Sequence, residues 1–161
     1  MSKKLEKFKL TDQQKKYVVY ALLGVSAFLV IRKLKDWLKK PAKETIKDII
    51  EEADQLKKQG MESTRSLGQW KLVADSIYNS MKSSATSDNK SNIEKQLKMV
   101  QNDLDFLLLT QAYGLRQHYI FAIPDGDKTT LIGQIATGEL SDKRIKSINS
   151  NYATKGIKFR F

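Results

Sequence analysis

The chain has 161 residues and a formal net charge of +11, which leaves room for one compact domain with attachments. It has no cysteine, so disulfides, thiolate chemistry and cysteine-based zinc sites are excluded. Residues 1–65 carry +7 and residues 66–161 carry +4, which points the N-terminal side towards anionic partners: lipid headgroups first, at about 1 kcal/mol per basic residue near a surface, and nonspecific nucleic acid second.

Residues 1–16 form a basic arm containing six lysines. Thr11 and Gln14 have the spacing of a capping box that starts a helix. Tyr17 to Ile31 (YVVYALLGVSAFLVI) then run for fifteen residues without a charge. As a helix this run is about 22 Å long, shorter than a hydrocarbon core of about 30 Å. Lysine stems can lie along the acyl region with their ammonium groups at the headgroups, so Lys16 to Leu34 provide roughly 28 Å, enough for a thin bilayer. The expectation is a single-pass transmembrane helix over 17–34, anchored by Tyr17, Tyr20, Leu22, Leu23, Phe28, Leu29 and Ile31, with Trp37 at the interface. Its basic flanks are Lys15 and Lys16 on one side and Arg32, Lys33, Lys35, Lys39 and Lys40 on the other. Three alternatives stay open: a buried helix of a soluble core, a signal peptide cleaved near Val25-Ser26-Ala27, and a helix lying flat at the interface. Basic residues are equally dense on both sides, so no orientation follows.

Residues 35–66 are expected to hold the basic collar, an amphipathic helix and a linker. Pro41 breaks or restarts the helix. Over 42–59, Ile46, Ile49, Ile50, Ala53 and Leu56 form an apolar stripe at helical spacing, and Gly60 is the C-terminal cap. The stripe needs a cover: the C-terminal domain, another copy or a membrane. Residues 60–66 (GMESTRS) are the best linker.

Residues 67–161 alternate short amphipathic helices and turns. Leu67 to Met81 place Trp70, Val73, Ala74, Ile77, Tyr78 and Met81 on one face. Lys82 to Ser91 read as a polar loop, and Asn92 to Val100 as a helix with Ile93, Leu97 and Val100 inward. Asn102 or Asp103 caps the most apolar helix, Leu104 to Tyr113, the expected centre of the core, which Gly114 stops. Arg116 to Lys128 read as an apolar stretch followed by a turn. Thr129 to Thr137 are a helix with Leu131, Ile132 and Ile135 inward. Ser141 starts the last helix, Gly156 caps it, and the alternating tail Ile157–Phe161 is expected to fold back along the domain.

Within this region, Val73 to about Asn151 resembles a single annexin repeat. Met81, Lys82, Thr86 and Asp88 match the loop after the repeat's first helix. Asn102–Arg116 (NDLDFLLLTQAYGLR) is similar to the third helix, and Leu131–Asp142 to the fourth, with Glu139, Leu140 and Ser141 at its end. The resemblance implies a compact five-helix fold. The family's loop glycines are Ser83 and Ala85 here, and about eleven extra residues, 117–127, separate the third and fourth helices. Backbone carbonyls turn towards calcium more readily at glycine, so the resemblance carries the fold without the calcium site. The closing KGIKFRF adds a looser similarity to small basic single-anchor proteins with annexin-like C-terminal domains from phages and mobile elements of Bacteroidetes-type bacteria. That similarity implies a virion setting, with capsid or other virion proteins as partners.

Catalytic patterns are sparse. His118 is the sole histidine and lies in no nucleophile motif. Asp125-Gly126-Asp127 lacks the further ligands of an EF-hand loop. No phosphate-binding glycine loop is present. The sequence therefore predicts an all-α membrane protein with no catalytic residues, metal, cofactor or small-molecule substrate. It combines a transmembrane helix, an amphipathic connecting helix and an annexin-like helical domain of about five helices. The expected role is structural tethering in a virion's internal membrane or a bacterial envelope; nucleic-acid packaging and a membrane-bound lysis or regulatory factor are the alternatives.

Overall fold

A computed structural model describes residues 42–83, 86–120 and 123–161. The basic arm, the expected transmembrane helix with Tyr17, Tyr20, Leu22, Leu23, Phe28, Leu29 and Ile31, and the collar with Lys15, Lys16, Arg32, Lys33, Lys35, Trp37, Lys39 and Lys40 all lie outside the described residues. The described chain is mostly helical: α1 (Ala42–Lys58), α2 (Leu67–Ser83), α3 (Ser87–Leu97), α4 (Asp103–Tyr113), a β-hairpin of β1 (Arg116–Ile120) and β2 (Ile123–Thr129), α5 (Leu131–Gln134) continuing as a π-helical turn Ile135–Glu139, and α6 (Asp142–Thr154). Five of these helices fall within 67–161, the number expected there. No helix among the described residues is long and apolar enough to cross a membrane.

Local signals set most boundaries. The Asn102 side chain accepts from the Asp105 amide and starts α4, and Thr130 caps α5 through the Gly133 amide, each satisfying an amide that the helix itself leaves unpaired. Both α1 and α6 end in a Schellman arrangement. Gly60 (φ 84°) is followed by a Met61 N–H donating to Leu56 O, and Gly156 (φ 70°) by an Ile157 N–H donating to Tyr152 O.

Two expectations need correction. The fold is not purely helical, because Arg116 to Thr129 pair as an antiparallel hairpin rather than a stretch and a turn. Ile120 pairs with Ile123 and Gln117 with Lys128, and the register shifts at His118, which leaves the Asp125-Gly126-Asp127 stretch in a bulge rather than at the turn. The expected loop 82–91 is also shorter. Thr86 caps α3 through the Asn89 amide, so Ser87 to Ser91 are helical.

The core is built on α4. Leu104, Phe106, Leu107 and Leu109 are fully buried, and both α1 and α2 pack against the helix. Trp70, Ala74 and Ile77 bury from α2, and Ile49 and Ala53 from α1, at about 1.5–3 kcal/mol for each large side chain removed from water. Of the three covers open to the α1 stripe, the structure shows the C-terminal body. Its phase is 45/49/53, and Ile50 turns outward at 36% exposure. The C-terminal tail folds back as expected. Phe159 stacks on Phe106 with centroids 4.5 Å apart, and Asn149 holds Phe161 by two hydrogen bonds with its backbone.

Candidate functional site

Helix direction defines the end of the body at which the chain enters. Glu62 and Thr64 lie just past the C-terminus of α1. Glu62 O accepts from Asn102 Nδ2 (2.9 Å), and the Thr64 amide donates to Asp105 Oδ1 (2.9 Å), both at the start of α4. α1 and α4 therefore run antiparallel, and Ala42 stands at the end where α4 finishes. α2 runs parallel to α4: Trp70 near its start donates to Ser63 Oγ (3.1 Å), while Met81 near its finish meets the Tyr113 hydroxyl (3.5 Å). The start of α1, the finish of α2 and the base of the β-hairpin thus share one end.

The residues 60–66, read as a linker, are tied down by a buried carboxylate. Asp105 is 0% exposed. Its Oδ1 accepts from Ser63 Oγ (2.7 Å) and the Thr64 amide, and its Oδ2 from Thr64 Oγ1 (2.7 Å) and the Gln101 amide (3.1 Å). A buried carboxylate must be compensated by such donors. α1 is consequently fixed to the body at both its stripe and its exit.

At the entry end Arg116 is the organiser. Its Nη2 donates to Asp75 Oδ1 at 2.6 Å and its Nε to Tyr113 O at 2.8 Å, and the guanidinium lies 4.9 Å from the ring centroids of both Tyr78 and Tyr113. Cation–π contact of this kind suits the planar guanidinium. Tyr78 also meets Tyr119 of β1 edge-on at 5.9 Å. Burial raises the Tyr78 phenol above its ordinary pKa, the neighbouring Tyr119 hydroxyl adds to the rise, and Arg116 opposes it. His118 is 7% exposed, and its Nε2 lies 2.9 Å from Thr137 Oγ1. Thr137 donates its own proton to Gln134 O (2.7 Å), so the Thr137 oxygen accepts from His118 Nε2–H. His118 therefore joins the hairpin to the π-helical turn.

An open cavity of about 490 Å³ lies between α2 and α3, lined mainly by serine and asparagine side chains together with Leu72 and Asp75. Asn92 Nδ2 bridges Ser76 Oγ (3.2 Å) and Ser80 Oγ (2.7 Å) inside it. Its chemistry is neutral hydrogen bonding; Asp75 on the same wall is engaged by Arg116. Of the annexin-like loop residues, Met81 is buried, Lys82 and Asp88 are exposed and Thr86 serves as the α3 cap. Among the described residues no three His, Asp or Glu side chains group to hold a metal ion.

Sequence reading missed the Asp105 hub and the Asp75–Arg116 pair. The available signal for the hub was the two aspartates, Asp103 and Asp105, opening the most apolar helix. For the pair, 41 positions apart, no spacing rule applies. Comparison with protein families, characterised proteins and solved structures returned no match.

Proposed function

We propose that the protein is a non-enzymatic single-pass membrane tether that holds a compact helical body close to a lipid surface. The observation that carries this reading is the distance between two features. The uncharged run Tyr17–Ile31 ends ten residues before Ala42, and Ala42 opens a helix docked on the body through Thr45, Ile49 and Ala53. Even fully extended, ten residues reach at most about 35 Å. Charge supports the same reading, because residues 1–41 carry +8 of the net charge and residues 42–161 only +3. The resemblance to an annexin repeat, and that of the closing residues to phage-borne single-anchor proteins, supplies the setting: a virion's internal membrane or a bacterial envelope, with neighbouring structural proteins as partners.

Carbonate extraction and flotation of the full chain test this. The wild type should float and resist carbonate. Leu23→Lys combined with Phe28→Lys should release it, at roughly 2.5–3.5 kcal/mol per lysine at mid-membrane. Continued resistance of the double variant to carbonate would sink the anchor. The concentration of charge in 1–41 also favours a second reading, nonspecific nucleic-acid binding. It predicts DNA affinity that falls steeply with salt and is kept or strengthened, not lost, in Leu23→Lys.

A further inference from the structure

We infer that the face shared by α3 and α6 is a nonspecific contact for the phosphate backbone of nucleic acid. This contact is separate from the membrane anchor and from the basic residues 1–41. Residues 142–161 hold six Lys and Arg against one Asp, or +5, whereas residues 42–141 carry −2. The positive charge of the body is thus gathered on its last helix and tail.

The two helices run parallel. Arg144 Nη2 donates to Ser87 O at the start of α3 (3.4 Å), and Lys155 Nζ donates to Lys98 O (2.7 Å) and Val100 O (2.9 Å) just past its finish. Lys90, Glu94 and Lys98 share one side of α3 at four-residue spacing, and Arg144, Ser147 and Lys155 share the facing side of α6 at helical spacing. Four cations therefore line the seam with one carboxylate, Glu94, which Lys98 and Arg144 both engage; their side chains remain 32% and 24% exposed. Lys98 and Lys155 each direct two hydrogen bonds into the protein. An ammonium group has three donors, so each keeps one for a ligand. Lys143 and Lys146, on the outer side of α6, are exposed and form no ion pair among the described residues.

The side chains of this face select the partner. A protein partner is anchored by apolar and aromatic groups. Among the described residues the exposed large hydrophobics are Ile50, Leu67, Leu72 and Ile123, on α1, α2 and β2, so α3 and α6 offer no such anchor. Beside the cations stand Ser87, Ser91, Ser150 and Thr154, all exposed; hydroxyls together with Lys and Arg are the ordinary contacts of phosphate groups. Arg144 to Lys155 spans roughly 16 Å of helix, the axial length of about five base pairs. α3 starts just past the finish of α2 and leads to the start of α4. The row of cations therefore extends from the end of the body where Ala42 stands to the opposite end. A lipid surface at the chain's entry meets only its start, whereas a polyanion lying along the body meets all of it.

Fluorescence anisotropy of a short labelled DNA duplex with the full chain in neutral detergent, repeated across salt concentrations, tests this whether or not the chain spans a membrane. Lys143→Gln combined with Lys146→Gln should reduce the slope of log K against log salt by about 2, because each lost phosphate contact removes about 0.9. Lys43→Gln combined with Lys58→Gln removes the same charge from exposed positions on α1 that form no ion pair among the described residues, and should leave the slope unchanged. Equal reductions in the two variants would mean that net charge alone matters. An unchanged slope in both would assign the DNA contact to other residues. Either result overturns the inference, and so does failure of the full chain to bind the duplex. Mixed micelles of the same detergent with phosphatidylglycerol provide the lipid arm. Weaker binding of the Lys143/Lys146 variant to these micelles, with its DNA slope intact, would make the face a lipid contact and equally overturn the inference.

Discussion

Asp105→Ala tests whether the corner after α1 is a fixed joint or a flexible linker. The wild-type carboxylate is fully buried and accepts four hydrogen bonds, from Ser63 Oγ, Thr64 N, Thr64 Oγ1 and Gln101 N, at 2.7–3.1 Å. Removing it strands two hydroxyls and two backbone amides at the centre of the contact between the 60–66 corner and α4. The hydroxyls can rotate to other acceptors; the amides cannot. Breaking a buried charged network of this kind costs about 3–5 kcal/mol, which for a chain of this size lowers the midpoint of thermal unfolding by roughly 10–20 °C. Asp105→Asn is the sharper variant because it keeps the shape. Each carboxylate oxygen serves one hydroxyl and one backbone amide, so either orientation of the asparagine side chain turns its NH₂ towards an N–H that cannot accept. At least one buried donor is left unsatisfied, at about 1–3 kcal/mol. Thermal unfolding of the full chain in detergent, followed by near-ultraviolet circular dichroism, measures both variants. Limited trypsin digestion should cut after Arg65 faster in both. Melting of both variants within about 2 °C of wild type, a gap below about 1 kcal/mol, would refute the reasoning and return 60–66 to the status of a linker.

Three further outcomes are expected. Phe159→Ala removes the buried ring stacked on Phe106 and leaves a hole beside Phe106; a loss of about 3–4 kcal/mol in chemical denaturation is expected. Glu94 sits between Lys98 and Arg144, each at 2.6 Å, and the Lys98 hydrogen bond, followed by those of Arg144 and Ser147, holds its pKa at about 2 against burial, which pushes it up. A carboxyl depressed in the folded state stabilises fully above its ordinary value of 4.5 and loses that contribution as pH falls from there towards about 2. Allowing for solvent screening, about 1–2 kcal/mol should fade across that window, and Glu94→Gln should flatten this part of the stability profile in urea titrations. Gly156→Ala places a side chain at φ 70° with open space around the new carbon, so the cost should be backbone strain alone, about 1 kcal/mol by denaturant midpoint. A neutral result there would mean that the α6 terminus relaxes out of its Schellman turn.

Much of the body was legible because its helices are specified locally. The stripes on α1, α2 and α4 repeat at helical spacing, and Asn102, Ser141, Gly60, Gly114 and Gly156 stand where caps and stops belong. The alternation of Ile157, Phe159 and Phe161 foretold a tail returning to the core. The start of α3 was hidden because Ser87 to Ser91 contain no apolar residue to mark a phase; Thr86 alone signals the cap. The hairpin was hidden because its Asp-Gly pair, an ordinary turn signal, sits in the bulge opposite His118, while the two residues between the strands, Phe121-Ala122, carry no turn signal.

By itself the amino-acid sequence determined the helical stripes, their caps and the charge-free run with its basic flanks, since each depends on residues within one or two turns of one another. Tertiary structure alone decided the pairings across the chain: Asp105 with Ser63 and Thr64, Arg116 with Asp75, and Glu94 with Arg144, separated by 41–50 positions. Charged residues carry no periodic signature of their partners, and they pair only where packing of the apolar faces has removed enough water to make the pairing favourable. The same packing set α1 antiparallel to α4, and so placed Ala42 at the end of the body where α4 finishes and the hairpin begins.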